Sequence, residues 1–150
     1  MAVESVQRKD RNPNIHYYQE AAAGAANAFY LGDLVQVDGS GELVIASSTN
    51  ILGIAQKTAT GTASTEIPVD VLSSKDEVSV PYKASATAEG LALDTVDFDF
   101  TPGAQVVDES GGSVDAVIID HDEHDPWTTV SGRLIVRILS SALQTEDTHR

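Results

Sequence analysis

Cysteine is missing altogether, and methionine occurs once, at the first of the 150 positions. Without thiols there are no disulfides, no thiolate nucleophile and no thiolate zinc site. Aromatic residues make up only 5% of the chain. Cations are scarce as well: 9 Lys and Arg face 23 Asp and Glu, a formal net charge of −14. A surface of that sign repels a phosphate backbone, so no nucleic-acid partner is expected. No run approaches the ~18 consecutive apolar residues that a spanning helix needs, so no membrane partner is expected either. The opening MAVESVQRKDRNPN has no apolar h-region, and no signal peptide is read there.

What is present suffices for one core. A hydrophobic fraction of 41% argues against wholesale disorder, and the length fits one domain. The charge is unevenly placed. Arg8, Lys9 and Arg11 lie in the first eleven positions with Glu4 and Asp10, a net +1. The other 139 residues carry 6 cations and 21 carboxylates, a net −15. Asp outnumbers Glu, and lysine is limited to Lys9, Lys57, Lys75 and Lys83. That balance resembles proteins of salt-loving organisms, in which carboxylates hold water at the surface. Molar salt shortens the Debye length to about 3 Å and screens the self-repulsion. An ordinary acidic protein is the competing reading.

Residues 1–28 are expected to form an extended N-terminal arm, because Asn12-Pro13 discourages a helix and no apolar period is sustained. From Phe29 to Ala142 short apolar runs alternate with turn residues. Leu34–Val37, the Asp38-Gly39 turn and Leu43–Ala46 form a hairpin signal. Gly53, inside the next strand, predicts a bulge or a close backbone approach. Pro68 cannot donate a ladder bond, which places its strand at a sheet edge or Pro68 at a strand start. Residues 84–94 fit a short helical turn or a covering loop. Val96, Phe98 and Phe100 alternate with aspartates, as a half-buried strand does. Arg133–Leu139 is the last strand, and residues 143–150 are expected to fray. The fold class is therefore all-β, a small β-barrel or sandwich, with eight or nine strands.

Few residues offer chemistry. Asp120-His121-Asp122-Glu123-His124-Asp125 concentrates the functional groups, and His121, His124 and Asp122 are candidate metal ligands. No helix gathers them on one face, and the calcium-loop spacing is absent, so an acidic solvated loop is the plainer reading. Asp33, Asp38 and Asp70 could in principle pair as acid and base, but Asp33 and Asp38 are better explained as turn residues by position. No nucleophile elbow or phosphate loop is present. No enzyme activity and no cofactor are expected. Trp127 either caps one end of the domain or anchors a subunit interface. Tyr17 and Tyr18, in an arm without a core, suit a segment that lies on another protein.

The stretch AAAGAANAFYLGDLVQVDGSGELVIASSTNILGIAQ, Ala21 to Gln56, places small residues before a Gly-Asp strand, a turn, a second strand and a Gly-centred ILGIA strand. This pattern resembles the capsid decoration (cement) proteins of tailed viruses, including those of haloarchaea. The resemblance implies a β-barrel or β-tulip-like domain behind an N-terminal arm. It also implies a homotrimer bound to the major capsid protein on the outer surface of the virion. Arg8, Lys9, Arg11, Tyr17 and Tyr18 would then be the capsid contacts of the arm, with Trp127 at the subunit interface. The alternative is a small ligand- or metal-binding β-barrel module that uses the loop at 120–125.

Overall fold

The computed structural model describes residues 5–9, 12–21, 28–62, 64–109 and 114–144. Eleven strands account for its regular structure. They are β1 (Gln7–Arg8), β2 (Ile15–Gln19), β3 (Leu34–Val37), β4 (Leu43–Ile45), β5 (Gly53–Ala55) and β6 (Glu66–Val71). The chain continues with β7 (Glu77–Pro81), β8 (Thr95–Asp99), β9 (Val106–Asp108), β10 (Ala116–His121) and β11 (Arg133–Ile138). A single 3-10 turn, Ser140–Ala142, follows.

The strands form two sheets with antiparallel ladders. Sheet A runs β1-β7-β11-β10-β8-β9, and sheet B runs β2-β6-β5-β3-β4. The all-β class expected from the sequence is what the chain adopts. The sheets stack as an open sandwich, and the barrel geometry is not realised. Glu20–Leu43 and Tyr82–Val107 are isolated bridges that draw the sheet ends together, but closure needs a continuous ladder.

Alternation along the strands explains the layers. Val78 and Val80, Val96 and Phe98, and Leu134, Val136 and Ile138 point from sheet A into a core shared with Leu34, Ile54 and Leu72 of sheet B. The opposite face of sheet B places Val35, Val37, Ile67 and Val69 in a second cluster, closed by Phe29 and Ala59. Sheet B is thus covered on both faces, which explains the near-continuous apolar runs of its central strands.

A Cβ on Gly53 would sit 2.1 Å from the carbonyl oxygen of Asp70, the close approach that a glycine in a strand signals. Pro68 is neither at an edge nor at a strand start. β6 lies between β2 and β5, and the β5 ladder ends at Ala55 opposite Val69, so the missing N–H of Pro68 falls beyond it. Its carbonyl still accepts from Gln56 N at 2.9 Å. Residues 84–94 form turns, with no helix.

Of the N-terminal segment, residues 5–9, 12–21 and 28 are described, and β1 and β2 within it join the two sheets. Val6 is fully buried, β1 pairs with β7, and β2 pairs with β6 along five residues. Leu143, read as the start of a frayed tail, is buried, and Gln144 binds the backbone of Val37 through its side chain at 2.8 and 2.6 Å. Residues 145–150 lie outside the described residues.

Candidate functional site

The sequence pointed to five residues in the N-terminal segment, and the structure separates them. Arg8 is no free contact: its side chain is 8% exposed. Nε and Nη2 donate to both carboxylate oxygens of Asp70, at 2.8 and 2.7 Å, and Nη1 lies 2.8 Å from Asp76 Oδ1. The hydrogen bond to Asp70 leads in holding the guanidinium far above its ordinary pKa, against the opposing effect of burial. Burial would raise the pKa of Asp76, but the Ser73 amide and Arg8 outweigh it and hold the carboxyl below its ordinary value. One arginine therefore ties β1 to β6 of the other sheet and to the turn before β7. No local pattern announces this tie, because Asp70 is 62 positions away.

Lys9 continues this seam. Its Nζ lies 3.5 Å from Asp122 Oδ2, which also accepts from Ser79 Oγ at 2.9 Å. Arg133 donates from Nε to the same Ser79 hydroxyl at 2.8 Å, and from Nη2 to the carbonyls of Ser5 and Ser79. An open groove of about 620 Å³ runs alongside, lined by Lys9, Glu77, Asp120, His121, Glu123 and Ile135. Asp122 is held below its ordinary pKa by Ser79, the His124 amide and Lys9, which outweigh the effect of burial.

The three candidate metal ligands of the acidic loop are drawn apart. A register shift between Ile118 and Asp120 in β10 brings His121 opposite Leu134. His121 then meets the ring of Trp127 edge-on at 5.4 Å and donates from Nδ1 to the Asp122 carbonyl at 2.7 Å. Asp122 faces Ser79, while the His124 side chain is 84% exposed beside Glu123. Among the described residues no three metal-ligating side chains converge. Trp127 itself is partly buried and packs against the main core.

Tyr17 and Tyr18 lie in β2 and alternate in direction. Tyr18 packs on the smaller core, and burial pushes its phenol pKa up. Tyr17 is 63% exposed. Arg11 lies outside the described residues.

Several further carboxylates act as loop latches. Glu20 accepts from the amides of Thr60 and Gly61 at 3.0 and 2.9 Å and from Thr60 Oγ1 at 2.5 Å. Asp115 accepts from Phe98 N and Ser48 Oγ. Asp38 accepts from Ser40 N and Glu42 N within its hairpin, the turn role its position implied. Asp33 Oδ2 accepts from the amides of Tyr30 and Gly103, both at 2.9 Å, and so joins two turns. Its Oδ1 is buried without a partner, and burial raises its pKa despite those amides. Asp33, Asp38 and Asp70 thus serve three separate neighbourhoods. The local Asp38 turn was legible from its position, but the Glu20–Thr60, Asp115–Ser48 and Asp33–Gly103 latches join segments distant in the chain, which the spacing of polar residues could not show. No known protein family, curated protein or solved structure matches the chain.

Proposed function

We propose that the chain is a structural virion protein that binds the outer surface of a tailed-virus capsid and clamps neighbouring major capsid subunits. The observation that carries this reading is the use of the buried carboxylates. Glu20, Asp70, Asp76, Asp115 and Asp122 each fasten a loop or join the sheets, which suits a rigid block under mechanical load. Contact area is available at one end of sheet A. Loops 84–94 and 122–132 lie together there, joined by the Ser85 amide donating to Ser131 Oγ at 3.0 Å. Leu93 and Val130 are 71% and 60% exposed on these loops, and Trp127, on the second of them, is part-buried against the core. Leu93 also has a φ of 69°, an unusual conformation for a leucine and a kind of strain that often accompanies function. Asp120 and Glu123, with exposed carboxylates, lie on the strand and loop that lead to Trp127, so a basic shell surface is the partner that suits this end. Many copies on one lattice need only a modest interface each. The acidic body faces solvent, and a salty medium suits its charge.

Mass spectrometry of purified particles from the host that carries this gene tests the reading. The chain is expected in intact particles at a copy number comparable to the capsid subunits. Its absence from them would sink the proposal.

A further inference from the structure

We propose that β2 is a self-pairing edge, through which two copies of this chain join sheet B to sheet B across a two-fold axis. β2 has β6 as its single ladder partner among the described residues. Just past its end Glu20 bridges Leu43 of β4, and before that point no described strand pairs with its other side, along Ile15–Tyr17. Two bonds fix which residues face outward. Val71 N donates to the Asn14 carbonyl and Glu20 N donates to the Thr65 carbonyl, both at 2.9 Å. Positions 14, 16, 18 and 20 therefore direct their backbone groups toward β6, and Ile15 and Tyr17 direct theirs outward. Those same two residues carry the exposed apolar side chains of the strand, at 39% and 63%.

A second β2, run antiparallel and centred on His16, satisfies this edge. Ile15 would exchange N–H and C=O bonds with Tyr17 of the second copy, and Tyr17 with its Ile15. Opposed residues share a face, so the two isoleucines and two tyrosines would form one apolar patch across the seam. On the other face the two His16 rings would stand opposite each other. Pro13 has no N–H and limits the ladder at each end.

Charge favours a second copy as the occupant. IHYYQ contains no carboxylate and no lysine in a chain of net charge −14, so two identical edges meet there without opposed carboxylates. Edge strands that avoid pairing usually carry lysine, proline or a bulge, and β2 has none of these. The other edges differ. β1 has two residues, while β4 and β9 have three each, with Asp108 in β9.

Sedimentation velocity of the intact chain, at low and molar salt, tests the proposal. The expected result is twice the chain mass at molar salt, with dissociation as salt is lowered and the two acidic bodies repel. Tyr17→Pro removes one outward N–H without touching the β6 ladder, and Tyr17→Lys places a charge at the seam. Both are expected to be monomeric, with a circular dichroism spectrum like that of the parent. A parent chain that stays monomeric at every salt and concentration would overturn the proposal. An assembly unaffected by Tyr17→Lys would overturn it too, since the copies would then meet elsewhere.

Discussion

At the scale of single residues, the account turns on carboxylates whose neighbours decide their chemistry. Arg8 neutralises Asp70 and Asp76 together, with all three side chains at least nine-tenths buried. Removing the cation would leave two buried carboxylates unmatched, which typically costs about 3–5 kcal/mol. Arg8→Ala should show that loss in urea unfolding, whereas a surface contact would change stability little. Asp33 behaves oppositely, because burial raises its pKa above the unfolded value of about 3.9. Its contribution is therefore fully present below about pH 4 and is lost as pH rises through the folded pKa. Asp33→Asn keeps an oxygen for the Tyr30 and Gly103 amides and carries no charge. Relative to the parent, this variant should gain stability steadily as pH rises; a difference that is flat with pH would contradict the assignment. Glu20, Asp76 and Asp122 have lowered pKa values and supply the complementary acid sensitivity: their contribution is present at neutral pH and lost as pH falls.

At the scale of elements, the strands with their own apolar alternation were legible in the sequence. β3 to β6, β8 and β11 fall on segments whose pattern announces them, and the Asp38-Gly39 turn and the close approach at Gly53 were legible as well. β1 and β2 were not. β1 has two polar residues and no period, and its place is fixed by Glu77, Ser79 and Asp70, far along the chain. β2 alternates too little in hydrophobicity to declare a buried face, because four of its five residues are exposed and only Tyr18 packs on a core. The site was less legible than the fold, since latches such as Glu20–Thr60 depend on pairings that only the folded topology creates. The Arg8 seam carries a testable consequence. Deleting residues 1–9 removes Val6 from the core along with the Arg8 and Lys9 ion pairs. The melting temperature should fall by roughly 15 °C or more, from ~2–4 °C per kcal/mol for a domain near this size. An unchanged melting curve would mean that the segment is a detachable arm after all.

At the scale of the whole molecule, the net charge of −14 acts against compactness, and salt should relieve it. Raising salt from about 0.1 M to molar concentration shortens the Debye length from ~10 to ~3 Å. The thermal midpoint is therefore expected to climb across that range, and a falling midpoint would contradict a body suited to salty solvent. Under the proposed function, the acidic body stands in solvent and the end that carries Leu93 and Val130 meets a basic shell surface. The most direct test of that claim is co-sedimentation of the purified chain with its host's tailed-virus capsids, stripped of accessory proteins, at molar salt. The intact chain should pellet with the capsids to saturation, and a Leu93→Asp, Val130→Asp double variant should stay in the supernatant while remaining folded. An intact chain that never pellets with the capsids would contradict the account.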